Sequence, residues 1–326
     1  MLRELSQIRA RGIAMKVLLA ILVAAGSSVN IYQGLTFVAT TTADASDSWN
    51  FVGAGLSDVH SFAVADTGTA GNTIAASRPA SRTVAPSITS FSETPRSNFQ
   101  IDGVNYQVQT AGQSYSLTNP DPQTLRFEVR PGDQAWYDSG HAVDRAEIEN
   151  YTRIPAGTPI NTNYQFMVES NGPNGSFVNT TDSFFILGQW HNDDPVNGPY
   201  TSPPFYVNLV GDKLQIIILY CMPGGNPANG SPDLHKLILW TNPNPIVPGH
   251  YYNITIQANF SNSSSGSLKV SLDGQQVVNY QGALGFGEPT YWCYGIYRSP
   301  ASETVAAGFR NMTITTGSGP PGVSSR

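Results

Sequence analysis

The sequence predicts an all-β protein, a jelly roll or sandwich of two antiparallel sheets. Three observations carry this prediction. Turn formers abound, with Gly 31 and Pro 23 in 326 residues, while charged residues make up only 12%. From about Tyr106 onward, short runs of apolar alternation follow one another, each closed by Gly, Asn, Pro or Asp. No stretch beyond the N-terminus has a helical period, and many strands without intervening helices imply a sandwich or jelly roll.

The chain begins MLRELSQIRARGIAMKVLLAILVAAGSS, in which Arg9, Arg11 and Lys16 precede the apolar run Val17 to Ala25. That run is shorter than the roughly 20 apolar residues a bilayer span needs. It reads as a secretory signal over residues 1–29, with Met15 a candidate start, and points to a secreted or periplasmic protein. An uncleaved membrane anchor or an N-terminal strand is the other reading.

Of 17 basic and 23 acidic residues, four and one lie in residues 1–29, which leaves the remainder at a net −9. Such a balance argues against general binding of nucleic acid or anionic membranes.

Residues 30–104 form an Ala/Ser/Thr-rich arm or linker. Within it SWNFVGAGLSDVHSFAVADTG has room for two short strands, and AASRPASRTVAPSITSFSETPRS has three prolines and no apolar period. Residues 105–316 are the expected sandwich domain, and 317–326 a flexible tail. In the domain, TLRFEV puts Leu125, Phe127 and Val129 on one face and Arg126 and Glu128 on the other.

YQFMVES, SFFILGQWH, FYVNLV, KLQIIILY, YYNITIQANF, SLKVSL and QQVVNY continue the series. Gly211-Asp212 and Asp273-Gly274 mark tight hairpins, the second with the residues of a type I′ turn. Cys221 and Cys293 would suffice for one disulfide in an exported protein, but sequence does not place their Cα atoms. No P-loop, G-x-S-x-G or H-E-x-x-H occurs.

Two inner faces make the core of a sandwich, so an outer face is free to hold a site. Three patches place polar or aromatic side chains there. In DRAEIEN, Arg145, Glu147 and Glu149 share a face. In SFFILGQWH, strict alternation puts Gln189 and His191 on the same face as Phe185 and Leu187, with Trp190 opposite. In YWCYGIYRS, Tyr291, Cys293, Gly295 and Tyr297 share one face, and Trp292, Tyr294, Ile296 and Arg298 the other. Taken singly, each has a structural explanation: a surface ion pair, a satisfied histidine, core aromatics.

Together and in this order, R-A-E, Q-W-H and Y-x-x-x-G-I-Y-R resemble the polysaccharide lyases of the jelly-roll group. The likeness is to the heparin lyase I-like and glucuronan lyase-like families and, further off, to alginate lyases. The flanks LRFEVRPGDQAWYDSG and ANFSNSSSGSLKVSLDGQQVVNYQG agree, and the resemblance covers roughly residues 120–315.

It implies a concanavalin A-like sandwich with a concave groove and cleavage of a uronic-acid polysaccharide by β-elimination. A base takes the C5 proton while the C4 oxygen departs with a proton. The uronate carboxylate opposes this until preorganised donors neutralise it. The resemblance assigns carboxylate binding to Arg145, Gln189 and His191 and the acid/base role to Tyr297, with His191 a second candidate for the base. Glu147, Trp190, Tyr291, Arg298 and Arg126 are further candidate substrate contacts.

A cation beside Tyr297 would favour its phenolate. No redox or organic cofactor is implied, and a structural Ca2+ is compatible with the family. The expected partner is an acidic polysaccharide met by a monomer, without nucleic acid or stable membrane insertion. Related sequences often have lysine where this one has Cys293, which bears on substrate more than on reaction.

Two other classes fit a jelly roll. A glycoside hydrolase would need two facing carboxyl groups, for which Glu147, Glu149, Asp144 and Asp193 are candidates. A lectin-like module would stack sugars on Trp136, Trp190 or Trp292.

Overall fold

The computed structural model describes residues 86–193 and 200–317, together with the backbone of five short strands between Met15 and Asp66. The chain divides into two compact units, Met1–Val84 and Ala85–Arg326. In the first, β1 (Met15–Val17) pairs with β4 (Phe51–Gly53), and β2 (Ser28–Gln33) lies between β3 (Thr36–Thr42) and β5 (Phe62–Asp66). Apart from Val17, the apolar run of the expected signal lies outside the described residues.

The second unit is a sandwich of two antiparallel sheets. Its strands are β6 (Ile88–Thr89), β7 (Asn98–Ile101), β8 (Val104–Thr110), β9 (Leu117–Asp121), β10 (Thr124–Val129), β11 (Asp144–Asn150), β12 (Pro159–Val168) and β13 (Phe185–Asn192). They continue with β14 (Phe205–Val210), β15 (Lys213–Tyr220), β16 (His235–Thr241), β17 (Tyr252–Asn259), β18 (Ser267–Leu272), β19 (Gln275–Gln281), β20 (Thr290–Arg298) and β21 (Val305–Thr316).

One sheet has the order β19-β18-β17-β12-β21-β10-β9 and the other β16-β15-β14-β13-β20-β11-β8-β7-β6. Strands β6 and β7 belong to the nine-stranded sheet, and the unit starts at Ala85. The sandwich therefore begins earlier than residue 105, and the Pro-rich segment ends as sheet edge.

The core forms where the alternating faces meet. Leu125, Phe127 and Val129 of β10 and Tyr164, Phe166 and Val168 of β12 pack against Trp292, Tyr294 and Ile296 of β20 and Phe205, Val207 and Leu209 of β14. Each such burial is worth about 1.5–3 kcal/mol. Tight turns hold the register: Asp273 and Gly274 both have positive φ, at 49° and 80°, as a type I′ hairpin requires. Cys221 and Cys293 are both buried free thiols.

β13 departs from the alternation. Its register slips against both neighbours between Ile186 and Gly188. Leu187 is fully buried in the core, and a Cβ on Gly188 would also point inward, 2.7 Å from the Tyr164 hydroxyl and 2.9 Å from Trp292. Two successive residues thus face the core, as at a β-bulge. Gln189 and His191 join Ile186 on the outer face instead of following Phe185 and Leu187, and Trp190 turns inward. Strict alternation rightly gave Gln189 and His191 to the site face but wrongly grouped Phe185 and Leu187 with them, because it had no signal for the slip.

Candidate functional site

The outer face of the nine-stranded sheet carries a cavity of about 280 Å³ lined by Arg145, Gln189, His191, Tyr206, Lys236 and Tyr297, with Ile186 beneath and Phe184 and the 201–203 segment at its edge. A larger depression of about 390 Å³, between Phe177–Asn179 and Gly211–Asp212, brings together only one ionisable side chain. The first cavity is therefore the candidate site.

Strand register builds it. β20 lies between β11 and β13, setting Tyr297 opposite Arg145 on one side and opposite Ile186 on the other. Gly295 faces Glu147, where an added Cβ would run into the carbonyl oxygen of Ala146 and approach the Glu147 Cα at 2.8 Å. Its φ of 137° is also one that side chains seldom adopt. The glycine of G-I-Y is what lets β11 and β20 close here.

Arg145 is only 8% exposed and is held by two acids. Its Nε and Nη2 donate to Asp138 Oδ2 and Oδ1 at 2.9 and 3.2 Å, and Nη1 donates to Glu147 Oε2 at 2.6 Å. Its guanidinium carbon stands 3.7 Å from the ring centroid of Tyr297. The fork expected to grip a uronate is therefore already engaged by protein carboxylates, and Arg145 offers the cleft its charge and stacking plane. Asp138, from the loop before β11, was not a sequence candidate; nothing in WYDSG distinguishes it from an ordinary turn aspartate.

Glu147, a candidate substrate contact, is fully buried and does not line the cavity. Gln189 donates through Nε2 to Glu147 Oε1 and Oε2 at 3.0 and 3.2 Å, and its Oε1 is buried without a partner. Burial, opposed by Arg145, raises Glu147 to about 7. For His191, Nδ1 lies 2.7 Å from the Asn192 carbonyl and 2.9 Å from its amide nitrogen, and the ring stacks on Tyr291 with centroids 5.6 Å apart.

Tyr291 is covered on one face by Arg153, whose guanidinium carbon is 3.7 Å from its centroid. Arg153 is bound in turn by Glu149 and Asp193. The Tyr297 hydroxyl is pushed above the ordinary phenol value: burial outweighs the lowering by Arg145, and Glu147 and Asp138 add to the rise. The expected phenolate is thus not the resting form.

Three sequence candidates lie away from the cleft. Trp190 is fully buried in the core, with ring centroids 5.4 Å from Trp292 and 5.8 Å from Phe260. Arg298 is fully buried, with Nε donating to Asp144 at 3.0 Å and Nη2 to the Glu303 carbonyl at 2.7 Å. Arg126 sits on β10 of the other sheet, paired with Glu169 at 2.6 Å and Glu128 at 3.0 Å.

Lys236 and Tyr206, which do line the cavity, escaped the sequence reading because their strands carry no motif. Among the described residues no group of three or more His, Cys, Asp or Glu is placed to hold a metal ion, and no helix is long and apolar enough to cross a membrane.

A search of curated proteins returned no match. Among solved structures, the endo-β-1,4-glucuronan lyase of the fungus Trichoderma reesei is similar with a TM-score of 0.49 at 10% identity, over 65% of this chain and 87% of that one. The marine alginate lyase AlyA1 from Zobellia galactanivorans gives 0.42 at 12% identity, over 72% and 95%. The family model "Polysaccharide lyase" matches residues 96–315, a span holding all four cleft residues named above from β11, β13 and β20. The chain belongs to the polysaccharide lyase family and is a carbon–oxygen lyase acting on polysaccharides.

Proposed function

We infer that elimination takes place in the cleft over Arg145, Gln189, His191 and Tyr297. The observation that carries this reading is the make-up of the lining, which joins an imidazole, a phenol, a guanidinium, a lysine and an amide without any carboxylate. A β-eliminating site needs such a set: cationic and hydrogen-bonding groups for the uronate, one group to accept the C5 proton and one to protonate O4.

The neutral resting phenol of Tyr297 suits the donor, and His191, two strands' width from Arg145 on β13, is the imidazole of the lining that would act as acceptor. In one turnover the C5–H pair becomes the C4=C5 bond, the C4–O4 bond breaks, His191 takes the C5 proton and Tyr297 supplies one to O4. Exchange with water restores both. Lys236, on the cleft wall, supplies positive charge that draws the polymer in, while Arg145 stacks on Tyr297.

A two-carboxylate hydrolysis has no such support. Glu147 is buried, Glu149 is tied to Arg153 and Gln109, and Asp144 is buried against Arg298. A lectin-like use of Trp190 or Trp292 fails because both rings are fully buried. The basic-then-apolar N-terminus supports action outside the cytoplasm.

The test is incubation with glucuronan, alginate, heparin and heparan sulfate, followed by ultraviolet detection of the unsaturated uronate. Its appearance with one of them supports elimination. Reducing ends without the chromophore would point to hydrolysis, and binding without cleavage to a lectin-like role.

A further inference from the structure

The cleft poses a charge problem. Arg145, the buried cation of its lining, is shared between Asp138 and Glu147. With both acids ionised this buried cluster is net negative, yet under the lyase reading, on which this inference rests, a third carboxylate must dock above it. The donor nearest to hand, the Gln189 amide, is spent on Glu147, and the atom left over is an acceptor, Oε1, buried and unpartnered. An orphaned acceptor in a cleft for anions is the wrong end of the amide.

Both difficulties have one remedy. A protonated Glu147 can donate from Oε1, while Oε2 still accepts from Arg145; the amide facing it must then present oxygen, and Nε2 swings to the place the orphan now holds. We propose that Glu147 and Gln189 form a proton-controlled amide switch: uptake of one proton by Glu147 turns the Gln189 carboxamide over and presents its N–H to a uronate carboxylate in the cleft. Glu147 is then a positioning residue acting through Gln189. The switch makes the buried cluster neutral and gives the polymer a donor in a single step.

The groups around Glu147 fit this. From its own strand come Arg145 and Glu149, the latter occupied by Arg153 and Gln109. The preceding loop contributes Asp138 and Tyr137, β20 contributes Cys293 and Tyr297, and β13 contributes Gln189 with His191 beyond it. Burial and Asp138 both favour the protonated acid, and the shift of Glu147 to about 7 lets solution pH reach both states.

The test begins on the free protein, by following the Glu147 carboxyl carbon and the Gln189 side-chain amide by NMR from pH 5 to 9. A Gln189 amide that moves with the same near-neutral midpoint as Glu147 supports the switch. An amide that stays put while Glu147 titrates, or a Glu147 that titrates in the ordinary carboxylate range, overturns it.

A second measurement reads substrate. Calorimetry of an inert uronate oligosaccharide at pH 8, in buffers of different ionisation heat, is expected to show uptake of about one proton by the wild type and none by E147Q, which should also bind about tenfold more tightly at that pH. Equal proton uptake in the two proteins overturns the switch. If the oligosaccharide fails to bind while the coupled titration is seen, the switch stands and the lyase reading of the cleft falls.

Discussion

The guanidinium of Arg145 stands over the ring of Tyr297, its directly opposed neighbour on β20, with 3.7 Å between Cζ and the ring centroid. This stack stabilises the electron-rich face of the phenol, yet the hydroxyl remains harder to ionise than a free one because it is buried. The pair holds Tyr297 as an oriented proton donor. Tyr297→Phe is expected to lower turnover by about 10²–10⁴-fold while polymer affinity changes less than threefold, as read by ultraviolet product formation and by calorimetry.

The same assignment has a pH signature. A Tyr297 acting as base from its phenolate would make kcat climb about tenfold per pH unit between pH 8 and 10. As proton donor it is already in its working form, so kcat at saturating polymer is expected to stay flat or fall over that range.

Removing Arg145 should cost more than its charge. Arg145→Ala leaves Asp138 and Glu147 without their cation in a buried setting, for which about 3–5 kcal/mol of destabilisation is expected from urea unfolding. Arg145→Lys keeps the charge but loses the fork that serves two acids, and should fall between the two.

Glu147 gives a stability prediction of definite sign. Its carboxyl is raised from 4.5 to about 7 in the folded protein, so the folded state binds more proton than the unfolded state between those values. The contribution is complete below pH 4.5 and is lost as pH rises through 7, a change of roughly 3 kcal/mol at most. In Glu147→Gln this part of the pH dependence of unfolding should vanish.

Trp190 separates core from site. Trp190→Ala should destabilise the protein by about 3–5 kcal/mol, as for other large core aromatics. Under conditions where the variant stays folded, its KM for polymer should be unchanged.

Much of the sandwich was legible from alternation alone. TLRFEV carries a clean two-residue pattern and became β10, while the apolar runs FYVNLV and KLQIIILY, bounded by turn residues, became β14 and β15. β21 was not legible, though it sits between β12 and β10 in its sheet: in VAAGFRNMTITT, Ala and Gly dilute the apolar pattern that burial imposes elsewhere. β16 was missed for the opposite reason. It is an edge strand whose residues are mostly exposed or half-buried, so nothing forces HKLILWT to alternate.

The site shows a sharper division. Chemistry-bearing residue types on neighbouring strands could be read from RAE, QWH and GIY, and Tyr297 and Arg145 do meet. Which atoms remain for a ligand could not, because Asp138 arrives from a loop and takes the Arg145 fork, while Glu147 takes the Gln189 donor. Hydrogen-bond competition is settled only by three-dimensional placement.

The slip in β13 has a consequence for comparing this strand with others. Phe185 and Leu187 are odd-numbered and hold the scaffold together, whereas Gln189 and His191 are odd-numbered and face the cleft. Parity changes meaning at Gly188, the one rung where a missing side chain lets the strand change phase against Tyr164 and Trp292. An alignment that carries parity through this point would exchange wall for machinery. Even a methyl group there would press on the core from inside and shift the two polar residues that follow.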